Sequence, residues 1–428
     1  MIRYFSTRDS SKTGVTFEEA LLKGLAPDGG LYVPDAIPSI DPSSWQRAST
    51  ITDIGLDVLN AWLGHEVPPE TLERIVHDAL NFPVPVKRLS DTLWILELFH
   101  GPTLSFKDFG ARTMARLMQH FLTKRGERRT ILVATSGDTG SAVADGFAGM
   151  DSIEVVLLYP HAKVSEVQER QLIAKRDGVR SYAVKGTFDD CQRMVKEAFV
   201  HPALAHLPLS SANSINIGRL LPQSLYYLWA ASQTGLSELN FAVPSGNLGN
   251  LTGGVLAAKM GLDVHTFIAA HNANDFFPNY LEKLVKPYDF RPTVATVSNA
   301  MDVGAPSNFE RLYNLIDEAS LQRWVWGLST DNETTLKRMT QVYEAFGYLS
   351  CPHTAVGLEA VERYRKETGD NTPVVSLACA HPAKFPQAVK ETTGQVVQVD
   401  ALEVLKSGES RVDYLQPTTE ALAEVLNA

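Results

Sequence analysis

One lysine of this chain stands where a solvated lysine has no reason to be. In the stretch FHGPTLSFKDF, residues 99–109, Lys107 follows a glycine–proline turn and lies between Phe106 and Phe109. An apolar frame disfavours the ammonium form and makes the neutral, nucleophilic amine accessible. Lys107 is therefore the candidate amine for attack on a carbonyl, and the turn before it predicts a loop position.

Three further segments hold groups suited to anions. The loop SGNLGN, residues 245–250, comes where a strand ends and a helix begins, so its backbone N–H groups can converge on a phosphate. It carries no lysine or arginine, and a plain strand-to-helix turn is the alternative. TSGDTGSA, residues 135–142, offers hydroxyls and amides at a second helix start, suited to a carboxylate, with structural capping as its alternative. It lacks the lysine of a P-loop and the three glycines of a dinucleotide fingerprint, and Ala134 rules out a nucleophile elbow. In NSINIGRLLPQ, residues 213–223, Asn216 and Arg219 share a face if the segment is helical. Such a pair suits a phosphate or carboxylate, because the guanidinium donates two parallel hydrogen bonds; an exposed helical arginine is the alternative. CPHTAVG and NAND lack partners at metal-ligand spacing and are expected to be helix-starting turns.

Positioning these groups takes an alternating fold. The apolar runs TILVAT, IEVVLLY, LNFAVP, VHTFIAA and PVVSLA are each followed by a segment of helical period, which predicts parallel strands with helical crossovers. Residues 1–90, broken by APDGGLYVPDAIP and FPVPV, are expected to form an N-terminal unit. AMDVGAPSN is expected to be an ordered loop.

With 428 residues and 44% hydrophobic side chains, the chain can bury more than one core. A net charge of -10 without a basic cluster argues against a nucleic-acid partner. There is no secretory h-region and no long unbroken apolar run, so no membrane association is expected. Three scattered cysteines outside C-x-x-C spacing fit a reducing compartment, which predicts a cytoplasmic protein.

Together, an amine in an apolar frame, a neutral phosphate cradle and two anion receptors describe a site for pyridoxal 5'-phosphate and an anionic amino acid. HGPTLSFKDF, ATSGDTGSA, NSIN..R, PSGNLGN and AHPAKFP, in that order, resemble the motif series of the threonine synthase family. FEEALLKGLAPDGGLYVPDAIP resembles its N-terminal signature, so the similarity runs from about residue 3 to about residue 390. The resemblance implies an α/β protein of the tryptophan-synthase-β-like group, fold type II. In that group two α/β domains with mainly parallel sheets close over the cofactor. The implied division is an N-terminal unit (1–90), a large cofactor domain (91–130 and 220–428) and a smaller substrate domain (131–219).

The resemblance further implies that Lys107 carries the cofactor and that Gly246, Asn247, Leu248, Gly249 and Asn250 hold its phosphate. Ser136, Gly137, Asp138 and Thr139 would hold the substrate carboxylate, and Asn216 with Arg219 the substrate phosphate. Cys379 would meet the ring nitrogen, where the family usually has threonine. Ile217 and Gly218 stand where the family commonly has Trp-Ala, implying an altered wall beside the substrate phosphate. The implied reaction converts O-phospho-L-homoserine and water to L-threonine and phosphate, the last step of threonine biosynthesis. A phospholyase or a serine/threonine dehydratase of the same fold is the nearest rival, and a catalytically silent binding module is a rival of another kind.

Overall fold

The structure, a computed structural model, describes residues 1–9, 13–407 and 410–428. In chain order its strands are β1 (Tyr4–Ser6), β2 (Tyr32–Pro34), β3 (Val86–Ser90), β4 (Leu93–Glu97), β5 (Arg129–Ala134), β6 (Ile153–Pro160), β7 (Val179–Val184), β8 (Leu209–Ser211), β9 (Leu239–Pro244), β10 (Val264–His271), β11 (Val325–Ser329), β12 (Val374–Ala378) and β13 (Asp413–Leu415). The five apolar runs became β5, β6, β9, β10 and β12, with helices following them in the chain. Strands buried on both faces carry near-continuous apolar runs, which is why these five stood out.

Two sheets carry the chemistry. One has the order β11-β10-β9-β12-β4-β3 and is parallel except for the β3–β4 hairpin. The other, β13-β7-β6-β5-β8, is parallel throughout. In the first, β9 has β10 on one side and β12 on the other; in the second, β5 lies between β6 and β8. At such points successive crossovers leave the sheet in opposite directions, and a crevice opens beyond the carboxyl ends of the strands. The loop at 245–248 follows β9, Cys379 follows β12, and the loop at 135–137 follows β5.

Strand β13 comes from the span assigned above to the large domain, yet it pairs in register with β7. The reason is burial. Leu415, Leu422, Ala423 and Leu426 complete the apolar cluster of Leu132, Val156, Leu158, Cys191 and Met194. The C-terminal segment thus covers a sheet face that would otherwise be wet.

Residues 1–90 contribute the antiparallel pair β1–β2 and the helices Phe17–Lys23, Ile51–Leu63 and Pro69–Ala79. Their apolar side chains, Phe17, Leu21 and Trp62 among them, join one continuous core with Met114 and Phe121 of the helix Lys107–Arg125, Ile131 of β5 and Phe241 of β9. Arg112 ties this unit to that helix. It donates to Ala79 O (2.9 Å), Asp78 O (2.7 Å) and Asn81 Oδ1 (3.0 Å), satisfying carbonyls at the end of helix Pro69–Ala79. Arg112→Met is expected to leave these acceptors unpaired and to lower stability by about 2–4 kcal/mol. Urea unfolding of the variant measures this, and an unchanged midpoint would remove Arg112 as the tie.

Candidate active site

Lys107 is the first residue of the helix Lys107–Arg125, a correction to the loop position predicted for it. Its entry is fixed by pairing with the segment after β12: Phe106 N donates to Cys379 O (2.8 Å), and His381 N donates to Leu104 O (3.0 Å). The carboxylate of Asp108 accepts from Thr103 N (2.9 Å) and Thr103 Oγ1 (2.6 Å), stapling the turn before the lysine. Gly101 allows that staple, since a Cβ there would lie 2.4 Å from Asp108 Oδ2. Burial raises the Asp108 carboxyl to about 6 against those hydrogen bonds. The motif HGPT…KD is thus one structural unit that delivers an amine.

The Lys107 side chain opens into a cavity of ≈ 1150 Å³ that includes its mouth to solvent. Its Nζ lies 5.5 Å from the centre of the Phe106 ring. Burial lowers its pKa from the ordinary lysine value, Asp138 opposes, and Lys384 and Arg219 add to the lowering. The suspected amine is therefore biased toward the neutral form.

The loop after β9 lines the same cavity. The N–H groups of Gly246, Asn247, Leu248, Gly249 and Asn250 donate to no acceptor among the described residues. Leu248, at φ 59°, turns the chain into the helix Gly249–Lys259. Gly246 is confined by the backbone of Met301, whose Cα a Cβ would approach to 2.8 Å. Asn247 Nδ2 donates to Ser214 Oγ (2.6 Å), and the Asn250 side-chain oxygen accepts from Tyr226 and Tyr227 (2.7 Å each). Five undonated amides at a helix start form a cradle for a phosphate. Cys379 lines the cavity too, and burial raises its thiol pKa, so it stays protonated.

After β5, Thr135 Oγ1 accepts from Gly137 N (3.0 Å) and Gly140 N (2.8 Å). The amides of Ser136, Asp138 and Thr139 are left without acceptors among the described residues. Ser136, Asp138 and Thr139 line the cavity; Gly137 supports the loop at φ 134° without lining it. Asp138 is not free to receive a carboxylate. It is 2.7 Å from Lys384 Nζ and accepts from Gln168 Nε2 at 3.0 Å. Burial would raise the carboxyl, yet Lys384 and then Lys107 hold it ionised, below the ordinary carboxylate range.

Arg219 lines the cavity and is buried, with Nη1 donating to Ala212 O (2.7 Å) and Nε unpaired. Burial lowers it to about 10, against the attraction of Asp108. A buried guanidinium with an unpaired donor at a cavity wall has the chemistry to accept an anion. Asn216 does not join it. Its amide donates to Leu21 O (2.9 Å) and Ser211 O (3.0 Å) and accepts from Gly218 N (2.9 Å), so it caps the helix Ile217–Leu220 and fastens it to the N-terminal unit. The expected helical face fails because Asn216 precedes the helix. Ile217 and Gly218 do not line the cavity either; a Cβ on Gly218 would meet Leu21, so the expected change in the wall is a change in packing.

Residues that sequence reasoning left without a role also line the cavity: Asn213, Ser214, Gln223, Met301 and His353. Asn213, Ser214 and Gln223 lie inside or at the end of NSINIGRLLPQ, and Met301 belongs to AMDVGAPSN. His353 sits in CPHTAVG, which does start a helix, Pro352–Thr368. Its Nε2 accepts from Ala300 N (3.1 Å), and burial lowers its pKa to about 4, so the ring is neutral.

These features define a pyridoxal-phosphate-dependent enzyme: a cradle of free amides for a phosphate, an amine unpaired among the described residues, and a protonated thiol, all lining one cavity. The same class is matched over residues 80–380 by the family model of pyridoxal-phosphate-dependent enzymes. Models of the threonine synthase N terminus and C-terminal region match residues 3–80 and 354–426. The chain is 41% identical over 391 residues to threonine synthase of Haemophilus influenzae, covering 89% of each. It superposes on the crystal structure of PLP-bound threonine synthase from Brucella melitensis with a TM-score of 0.92, at 34% identity, over 100% of this chain and 99% of that one. For the Escherichia coli threonine synthase structure the TM-score is 0.91, at 37% identity, over 100% and 99%. The chain belongs to the threonine synthase family.

The neutral His353 carries a pH signature. An unfolded histidine takes up a proton near pH 6.5, whereas the folded one resists until about 4. Between these values the unfolded chain binds more protons, so folding stability falls as pH falls. His271 and His381 act in the same direction, while Asp108 and Asp302, both raised to about 6, act oppositely. His353→Gln is expected to flatten the decline by up to about 1.4 kcal/mol per pH unit. Urea unfolding of variant and parent from pH 7 to 5 measures the difference, and parallel curves would show that His353 takes up its proton in the fold as readily as in the unfolded chain.

Proposed function

We infer that the chain converts O-phospho-L-homoserine and water to L-threonine and phosphate, with pyridoxal 5'-phosphate as cofactor. The carrying observation is Arg219. Its buried cation has no carboxylate partner within ion-pair distance among the described residues, and it shares one cavity with Lys107 and the amide cradle. A dehydratase, whose substrate has no phosphate, would leave that cation unpaired.

The roles follow from the donor set. Lys107 would carry the cofactor, the amides of Gly246, Asn247, Leu248, Gly249 and Asn250 would hold its phosphate, and the protonated thiol of Cys379, in the same cavity, would be the partner available to its ring. When bound, the cofactor supplies an electron sink that acidifies the C–H bonds of the amino acid joined to it. Lys107 Nζ, biased toward neutrality by burial, takes the α-proton and later returns one. Ser136 and Thr139, with the free amides around them, receive the substrate carboxylate. Arg219, supported by Ser214 and Gln223 at the same wall, receives the γ-phosphate and holds it as it departs.

We further propose that the two parallel sheets are the cores of two domains facing across this cavity, with β13 counted in the smaller one. Three cysteines that form no disulfide support a cytoplasmic setting. Among the described residues no helix is long and apolar enough to cross a membrane.

Two variants test the reading. Lys107→Ala should abolish threonine formation and the visible absorbance of the lysine-bound cofactor; near-parental threonine release would remove Lys107 from its role. Arg219→Ala should lower kcat/KM for O-phosphohomoserine by about 10²–10⁴-fold, since about two charged hydrogen bonds of 1.5–3 kcal/mol each are lost. Joint assay of phosphate and threonine checks this, and an unchanged value would place the substrate phosphate elsewhere.

A further inference from the structure

The roles above leave Lys384 unused, although it is among the most enclosed cations of the molecule. Its side chain is 0% exposed, and that of its partner Asp138 is 3%. Lys384 Nζ stands 2.7 Å from Asp138 Oδ1 and donates to Thr103 O at 3.0 Å. Gln168 donates to the same Asp138 oxygen (3.0 Å), and Gln171 donates to the same Thr103 carbonyl (3.1 Å). Asn299 in turn donates to Gln168 Oε1 (3.1 Å). Lys384 thus holds Asp138 with one contact and, with the other, the carbonyl of Thr103, four residues before Lys107.

Two lysines compete here for one carboxylate. Lys107 and Asp138 line the same cavity, whereas Lys384 does not. A carboxylate within about 4–6 Å favours the ammonium form of a lysine, and an ammonium cannot take a proton from carbon. We propose that Lys384 is a positioning residue that occupies Asp138, so that Lys107 stays neutral and able to move protons at the substrate. The groups facing Lys107 are Asp138, Lys384, Arg219 and the Cys379 thiol; those facing Asp138 are Lys384, Lys107 and the neutral His353. With Lys384 in place the pair carries no net charge, and the remaining cation beside Lys107 is Arg219.

The proposal rests on Lys107 as the working amine, but its test does not require turnover. In the full chain freed of cofactor, the pH dependence of reductive methylation at Lys107, read by peptide mass spectrometry with formaldehyde and cyanoborohydride, reports when that amine is neutral. Lys384→Met should move the midpoint to higher pH and slow modification about tenfold at a fixed pH below it. Asp138→Asn should move it the other way. The double variant, with neither charge, should lie within about threefold of the parent rate. In the loaded enzyme the acid limb of kcat should move with the Lys107 midpoint. Should Lys384→Met fail to fold, the double variant decides: a rate within threefold of the parent supports the proposal, and a tenfold departure overturns it. Single variants that leave the midpoint in place, or shift it in the same direction, also overturn it. Activity retained by Lys107→Ala would instead refute the functional reading while leaving this titration interpretable.

Discussion

The site depends on a buried excess of positive charge. Lys384 and Arg219 are the cations around a space that holds one carboxylate kept below its ordinary range, Asp138, while burial biases Lys107 toward the neutral amine and Asp108 toward the protonated acid. Isolated buried charges are costly, and a protein keeps them only where partners or ligands compensate. Arg311 shows the structural solution: fully buried, it donates to Tyr32 O, Ser214 O, Ile215 O and Asn308 Oδ1. Arg219 leaves Nε unpaired instead. Arg311 is thus spent on the fold, whereas Arg219 keeps a donor at the wall of the cavity.

Topology explains why these charges meet. Each sheet reverses its winding beside one strand, β9 in one and β5 in the other, and the loops at those reversals face a common cavity. The amides that such loops expose belong to the first turns of the helices Gly249–Lys259 and Asp138–Phe147, so two anion-binding ends come from two separate strand-to-helix units. The third contribution, Lys107, begins a helix as well, but its position comes from pairing with the segment after β12. The N-terminal unit reaches the site through Leu21, whose carbonyl holds the Asn216 cap beneath the helix that bears Arg219.

Much of this site was legible because its motifs are local. A strand, a glycine-bearing loop and a helix are contiguous in the chain, so PSGNLGN and ATSGDTGSA announce their geometry through spacing alone. Short or half-exposed strands gave no such signal: β7, VRSYAV, is broken by Arg180 and Ser181 and is only partly buried over its first four residues, and β13 has three residues. Asn216 was misplaced because one residue decides whether an amide caps a short helix or lies on its face. Lys384 lay in plain view within AHPAKFP, yet nothing in that string separates a buried lysine from a solvated one.

Composition and motif order by themselves indicated the fold class and the family, and picked out Lys107 and the loop 245–250, which line one cavity. They did so because parallel strands and helix starts are written in consecutive residues. Only the tertiary structure decided which side chains are spent and which remain available. Asp138 is taken by Lys384, Asn216 by Leu21 and Ser211, and Arg219 alone of these keeps a free donor. Those assignments join residues up to 246 positions apart, Asp138 with Lys384, and a hydrogen bond is a property of distance in space, to which sequence separation gives no access.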